Sequence, residues 1–557
     1  MQQMRGRRKL RKRGMGSLDD PVNGSDDIFA QYLKQNNFSE KKYQLDGIEW
    51  MINIEKNGII MNDTLIKSGL LCDEMGLGKT IQMLGLILKN FKFHNLIVVP
   101  RGLLEQWHKT IKDTLKHEPL IFHGIYKKDI DIEKIKNSPI VLTTYGMISG
   151  CFNEKNKIIG LLPLIKWNRI IFDEAHHLRN QNTRNHKSAE KLKADHKWLV
   201  TGTPIQNSLT DFYGLCNVLK LDKSYYSKIE NIEFIREKLL LKRTKKEVGI
   251  ELLPFKNIKK IIKWETNDEK IFSEDIHSLL DFSQIKSHRE DNIFKNSDIL
   301  IHHFAILHRA RQSCINTGLM KNYLIKFQKL NLIDKKLNIE MLSKQKSKIN
   351  GVIAQIKENK NNNNKKLIFC HFRMEINEIR DELKKMKLNV EIFDGRTNID
   401  ERKRIINDKN IDVLILQIQT GCEGLNLQHF NEIYFVSPHW NPAIEDQAIA
   451  RCHRLNQEKE VIVYHFQMES FDIERKTKNL DNYVKNVQTN KRSVMEILNK
   501  PEPLYDENNE ELICLICLDN INNKDFIKLD CNHYYHLSCQ NKWENKSKKM
   551  GCCVCVK

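Results

Sequence analysis

Short apolar runs alternate with longer amphipathic stretches from about residue 36 onward. NLIVVP (95–100), PIVLTTY (139–145), RIIFDE (169–174) and KWLVTG (197–202) are apolar at consecutive positions. That is the pattern of strands buried on both faces, as in a parallel sheet with crossover helices. Residues 246–345 read differently, as long, charged and helical, with few strand signals. Apolar runs return at KLIFC (366–370), NVEIFDG (389–395), DVLILQI (412–418), EIYFVS (432–437) and VIVYHF (461–466). The pattern predicts an α/β protein with two parallel-sheet units, at 36–245 and 346–500, and a helical insertion at 246–345. NKNNNNKK (359–366) reads as a surface loop, residues 472–500 as a basic brace helix, and PEPLYDENNE (501–510) as a linker.

Composition adds a partner class. The chain of 557 residues carries a net charge of +20, which favours a polyanion such as nucleic acid. The abundance of Asn, Ile and Lys accounts for part of that charge. RGRRKLRKR (5–13) holds seven basic residues in nine and opens a polar segment, so residues 1–35 read as a disordered basic tail. No apolar segment follows it, unlike a secretory signal. No apolar run reaches about 18 residues, so no membrane span is expected.

The candidate chemistry begins at LLCDEMGLGKTIQ (70–82). A phosphate loop needs converging backbone N–H groups at a helix N-terminus. Gly76 and Gly78 permit close backbone approach, Lys79 would reach the β- and γ-phosphates, and Thr80 would bind Mg²⁺. The general pattern places glycine where this chain has Asp73. A second element, FDEAHH (172–177), ends an apolar run 93 residues after Lys79. Carboxylates at a strand end can hold Mg²⁺ and align water, with Asp173 as metal partner and Glu174 as base.

DEMGLGKT together with DEAH resembles the Swi/Snf family of superfamily 2 ATPases, where aspartate is usual at the position of Asp73. Further motifs follow in order. YQLDGIEWM (43–51) resembles the adenine-side motif, with Gln44 as its glutamine. VVPRGLLEQW (98–107), TTYG (143–146), LVTGTPIQN (199–207) and LLKRTKKEV (240–248) resemble the remaining motifs of a first lobe. ILHRARQSC (306–314) resembles the insert of the repair-type branch. IFCHFR (368–373), FDGRT (393–397), TGCEGLNL (420–427) and QAIARCHRLNQ (447–457) resemble those of a second lobe. The resemblance covers residues 40–480 and implies two RecA-like lobes. It implies ATP bound by Gln44 and by the loop Asp73, Glu74, Met75, Gly76, Leu77, Gly78, Lys79 and Thr80, with Mg²⁺ on Thr80 and Asp173. Arg451 and Arg454, three apart on one predicted helix face, would act on the phosphates from across the cleft, Arg454 as the finger. The implied activity is ATP-driven translocation on duplex DNA in chromatin remodelling, repair or transcription, with chromatin, replication or transcription proteins as further partners. The place is inside the cell: the nucleus, or a viral factory or virion if the chain is viral.

Seven of the 14 cysteines fall in the last 44 residues. Six of them, with two histidines, fall in the pattern Cys514-x2-Cys517-x13-Cys531-x-His533-x2-His536-x2-Cys539-x12-Cys552-x2-Cys555, and Cys553 is left over. Eight N/S ligands make two tetrahedral Zn²⁺ sites, which such a small segment needs for stability. The spacing resembles a RING finger at 510–557. That resemblance implies one zinc on Cys514, Cys517, His536 and Cys539 and the other on Cys531, His533, Cys552 and Cys555. It also implies a ubiquitin-conjugating enzyme and ubiquitin as partners through Ile516 and Trp543. Two other readings stand beside the translocase with ligase activity: a zinc-dependent ubiquitin ligase or scaffold whose ATPase lobes dock DNA, and an ATP-driven RNA helicase.

Overall fold

The computed structural model describes residues 29–31, 33–34, 39–153, 155, 157–206, 209–280, 303–331, 333, 335, 337–418, 425–455, 457–472, 477–496, 526–528 and 534–541. The first apolar runs form a seven-stranded sheet. Its strands are β1 (Gly69–Leu71), β2 (Asn95–Val99), β3 (Leu120–Phe122), β4 (Ile140–Thr144), β5 (Trp167–Asp173), β6 (Ala194–Val200) and β7 (Leu240–Leu241). They lie in the order β3-β4-β2-β5-β6-β1-β7, every pair parallel. Alternate residues of one strand enter different cores. Leu96 and Val98 pack on one face with Phe172 and Phe212, while Ile97 and Val99 pack on the other with Trp107 and Trp198. Two covered faces explain why the runs are continuous rather than alternating.

Register positions the site. Leu71 of β1 pairs with Val200 of β6, and Val200 pairs with Asp173 of β5. These three strands therefore end in one row, and the segments that follow them leave the sheet side by side. Ligands of open parallel sheets bind at this carboxyl edge. Helix α1 (Lys42–Asn57) is anchored beneath the sheet by a buried ion pair. Both oxygens of Glu55 accept from Arg169 of β5 at 2.6 Å, and Oε1 also accepts from Trp198 Nε1 at 2.9 Å.

The second sheet has six strands: β8 (Phe255–Ile262), β9 (Lys366–Cys370), β10 (Val390–Phe393), β11 (Val413–Gln417), β12 (Glu432–Phe435) and β13 (Val461–Met468). Their order is β8-β13-β12-β9-β11-β10, again all parallel. Strand β8 departs from the helical reading of 246–345. It pairs with β13 over its whole length, Phe255 with Val461 through Ile262 with Met468. Being an edge strand, it keeps its lysines toward solvent, and that charge hid it among helical signals while protecting the edge. The helices of the same segment, α2 (Asn267–His277) and α3 (His303–Ile315), pack with Leu480 and Val484 of α4 (Leu480–Glu496), the brace. No helix among the described residues is long and apolar enough to cross a membrane.

Candidate active site

The phosphate loop runs from β1 into the helix Lys79–Lys89. Gly76 has φ +92° and Gly78 φ +78°, both in the left-handed region that glycine tolerates. A Cβ on Gly78 would lie 2.5 Å from Gln44 Nε2. Gln44 is buried and donates from Nε2 to Leu77 O at 3.0 Å, which joins the adenine-side segment to the loop. Lys79 Nζ donates to Asp73 O at 2.7 Å and to Glu74 O at 3.4 Å. Burial pushes the Lys79 ammonium down, opposed by the charges of Glu174, Asp73 and Asp173. Gly202, after β6, sits beside it: a Cβ there would come 3.2 Å from Met75 Cγ and 3.5 Å from Lys79 Nζ. Thr80 is partly exposed in the first turn of the helix.

The carboxylate of Asp73 points away from the phosphate cradle. It is fully buried, and both oxygens take Arg243, Nε at 3.0 Å and Nη2 at 2.5 Å, while Gln82 Nε2 donates at 2.9 Å. Arg243 also donates to the Tyr43 carbonyl and to Gln82 Oε1. Glu74 is likewise engaged, accepting from Lys245 N and Nζ, each at 2.8 Å. The acidic pair thus pins the loop to the segment after β7, and only the Asp73 and Glu74 carbonyls face Lys79. Arg243 and Lys245 were missed as site residues. The signal was available: a buried acid inside a loop for anions needs a cation, and LLKRTKKEV supplies one.

Asp173 and Glu174 stand opposite the loop. Asp173 Oδ2 accepts from Trp107 Nε1 at 2.7 Å, and Tyr145 OH donates to the Asp173 carbonyl at 2.6 Å. Burial and the neighbouring Glu174 charge push the Asp173 carboxyl up. For Glu174, burial opposes ionisation, but His176 at 3.3 Å, Lys79 and Arg451 hold the carboxyl well below the usual range. Glu174 itself has φ +49°, a left-handed backbone just past the strand end. Of the acid pair beside the phosphate loop, Asp173 is a carboxylate that could hold Mg²⁺.

The second lobe reaches this site through helix α5 (Pro442–Cys452). Asn441 caps it, accepting from Ala443 N at 3.0 Å, and Pro442 fills the first position, where no N–H is needed. The helix ends at Cys452, so Arg454 lies beyond it rather than on one face with Arg451. His453 leaves helical geometry, and Arg454 Nε turns back to donate to Ala450 O at 2.6 Å. Burial and the like charge of Arg451 push Arg454 down to about 10. Arg451 is among the charges that hold Glu174 down.

Cys514, Cys517, Cys531, His533, Cys552, Cys555, Ile516 and Trp543 lie outside the described residues, as do Thr420–Glu423. His536 and Cys539 are described. An antiparallel pair, Phe526–Lys528 with Tyr534–His536, leads into the short helical segment that carries Cys539. Cys539 Sγ is 4.0 Å from His536 Nδ1, within reach of one ion whose Zn–S and Zn–N bonds are about 2.3 and 2.0 Å. No group of three or more His, Cys, Asp or Glu side chains poised for a metal occurs among the described residues.

Residues 43–231 match the SNF2-related domain and residues 347–456 the helicase conserved C-terminal domain. A probable global transactivator of Orgyia pseudotsugata multicapsid polyhedrosis virus is 28% identical over 469 residues, 79% of this chain and 88% of that protein. The ATP-dependent DNA helicase DDM1 of Arabidopsis thaliana is 26% identical over 477 residues, 76% of this chain and 58% of that one. The DNA repair protein RAD5 of Saccharomyces cerevisiae is 24% identical over 678 residues, 85% of this chain and 57% of that one. This chain thus spans little more than half the length of the plant and yeast relatives. Among solved structures, the Sulfolobus solfataricus SWI2/SNF2 ATPase core in complex with dsDNA aligns over 84% of this chain and 98% of that chain, at 21% identity and a TM-score of 0.35.

Proposed function

With an SNF2-related domain and a helicase conserved C-terminal domain in succession, the chain is a relative of Swi/Snf-type ATPases, and from that premise we propose that it hydrolyses ATP to translocate on duplex DNA. The observation that carries this reading is the convergence of the loop of Lys79 and the strand end of Asp173 and Glu174 at one sheet edge, with the charge of Arg451 from the second lobe among those that lower Glu174. In this reading the first lobe spans residues 36–245, and the second spans 346–500 with β8 as its outlying strand. Lys79 and the loop N–H groups hold the β- and γ-phosphates, and Asp173 with Thr80 would hold Mg²⁺. When bound, that ion neutralises charge on the phosphates. Glu174, held ionised by His176, Lys79 and Arg451, orients the attacking water and takes its proton. In the same reading Arg451 would offset charge developing on the γ-phosphoryl group. The basic chain suits a partner gripped by its phosphates. Relatives that are a DNA helicase and a DNA repair protein support work on DNA, and the viral relative supports a viral setting equally.

A second reading adds to the first. The cysteine and histidine spacing, with His536 and Cys539 side by side, supports a C-terminal zinc module of RING type and ubiquitin transfer through Ile516 and Trp543. The test of the motor is ATP hydrolysis with duplex DNA, single-stranded DNA or RNA, beside Lys79→Ala and Glu174→Gln. Strong stimulation by duplex DNA, lost in both variants, is expected. Stimulation by RNA alone would favour an RNA helicase, and the absence of hydrolysis with any of the three nucleic acids would sink the motor reading and leave the zinc module as the source of function.

A further inference from the structure

One buried hydrogen bond crosses between the lobes at the edge where the candidate site lies. Asn441 Nδ2 donates to Gln206 Oε1 at 3.0 Å, and both side chains are under 8% exposed. Each amide is used at both ends. Gln206 Nε2 donates to Thr203 Oγ1 at 3.1 Å, and Asn441 Oδ1 accepts from Ala443 N at the start of α5. Flipping either amide alone would bring like groups face to face, so the bond is directional. Gln206 is itself fixed, its backbone N–H donating to Asp211 Oδ2 at 3.0 Å.

The contacts on the first lobe continue toward the hydrolytic carboxylate. Thr203 N donates to Thr201 Oγ1 at 3.2 Å, Thr201 Oγ1 lies 3.4 Å from His176 Nδ1, and His176 lies 3.3 Å from Glu174. On the second lobe, Asn441 caps the helix that carries Arg451 ten residues on. The far side of that helix is held by the brace, where Gln488 donates to Glu445 at 2.8 Å and Arg492 grips Asp446 through two bonds of 2.8 Å. The Gln206–Asn441 bond is thus the direct tie between a polar chain ending at Glu174 and a braced helix bearing Arg451.

We propose that Gln206 and Asn441 are positioning residues that latch the lobes so that Arg451 is set against Glu174 and its substrate. The proposal rests on the ATPase reading. Asn441→Ser tests it because serine still caps α5 but is too short to donate to Gln206. Gln206→Met removes the amide at similar size. Each is expected to lower kcat of duplex-stimulated hydrolysis about tenfold, as for one buried hydrogen bond. KM for ATP and the thermal midpoint should hold, because the phosphate loop and the cap are intact. The double variant should be no worse than the weaker single, since both remove one bond. Unchanged kcat, an effect on KM alone, or losses that multiply to about a hundredfold would overturn the latch. Hydrogen exchange gives a reading independent of turnover: Asn441→Ser should speed exchange at 201–206 while 444–452 stays protected. Equal protection in both proteins would overturn the latch even if hydrolysis were absent, and absent hydrolysis in the unaltered chain would overturn only the ATPase reading.

Discussion

Asp73 poses a problem of charge that Arg243 solves. A carboxylate in a loop built for a polyanion would repel it, yet both Asp73 oxygens are taken by Arg243 and Gln82 and buried. The acid therefore ties the loop down without spoiling its potential. Arg243→Ala strands that buried carboxylate, a change that costs about 3–5 kcal/mol. A lower thermal midpoint and weaker ATP binding are expected, and an unchanged melting curve would contradict the tie. Gly78 makes a sharper point. Alanine there meets Gln44 Nε2 and must hold φ +78°, a conformation costing about 1–2 kcal/mol for an L-residue. Gly78→Ala should raise KM for ATP about tenfold, read from initial rates, and a wild-type KM would show that Gln44 and the loop move independently.

Helix α1 and strand β5 depend on one buried ion pair, and that pair gives the first lobe a pH signature. Burial works against ionisation of Glu55, but the Arg169 guanidinium outweighs it and holds the carboxyl below its ordinary range. A folded value below the unfolded one means the contribution is full above the ordinary glutamate value of about 4.3 and is lost as the pH falls through the folded value. Glu55→Gln should be less stable near neutrality and should lose less on acidification than the unaltered chain, followed by circular dichroism. Parallel acid unfolding curves would contradict this. The buried strands of both sheets were legible because parallel strands covered on two faces must be apolar throughout. Strand β8 was not, because an edge strand exposes its lysines and imitates a charged helix. The end of α5 at Cys452 was equally hidden, since three-residue spacing of Arg451 and Arg454 looks helical until the backbone turns. Motif residues near one another in sequence were readable. Arg243 with Asp73, and Asn441 with Gln206, are pairs 170 and 235 residues apart that the fold alone unites.

At the scale of the whole molecule, a net charge of +20 and a two-lobed site predict a motor that grips phosphates and is completed by lobe closure. Duplex affinity should therefore fall by about a thousandfold or more between roughly 50 and 200 mM salt, measured by titration of labelled DNA. A flat salt response would contradict phosphate contacts. Native mass spectrometry of the full chain should find two zinc ions, and a metal-free mass would contradict the zinc reading. The central claim, that Arg451 from the second lobe completes the site of Lys79, Asp173 and Glu174, is tested by duplex-stimulated ATP turnover of Arg451→Ala beside its binding of a fluorescent ATP analogue. Turnover should fall by about a thousandfold or more while nucleotide binding persists. Near-normal turnover in Arg451→Ala would show that the first lobe hydrolyses ATP without it, and the two-lobed site would have to be abandoned.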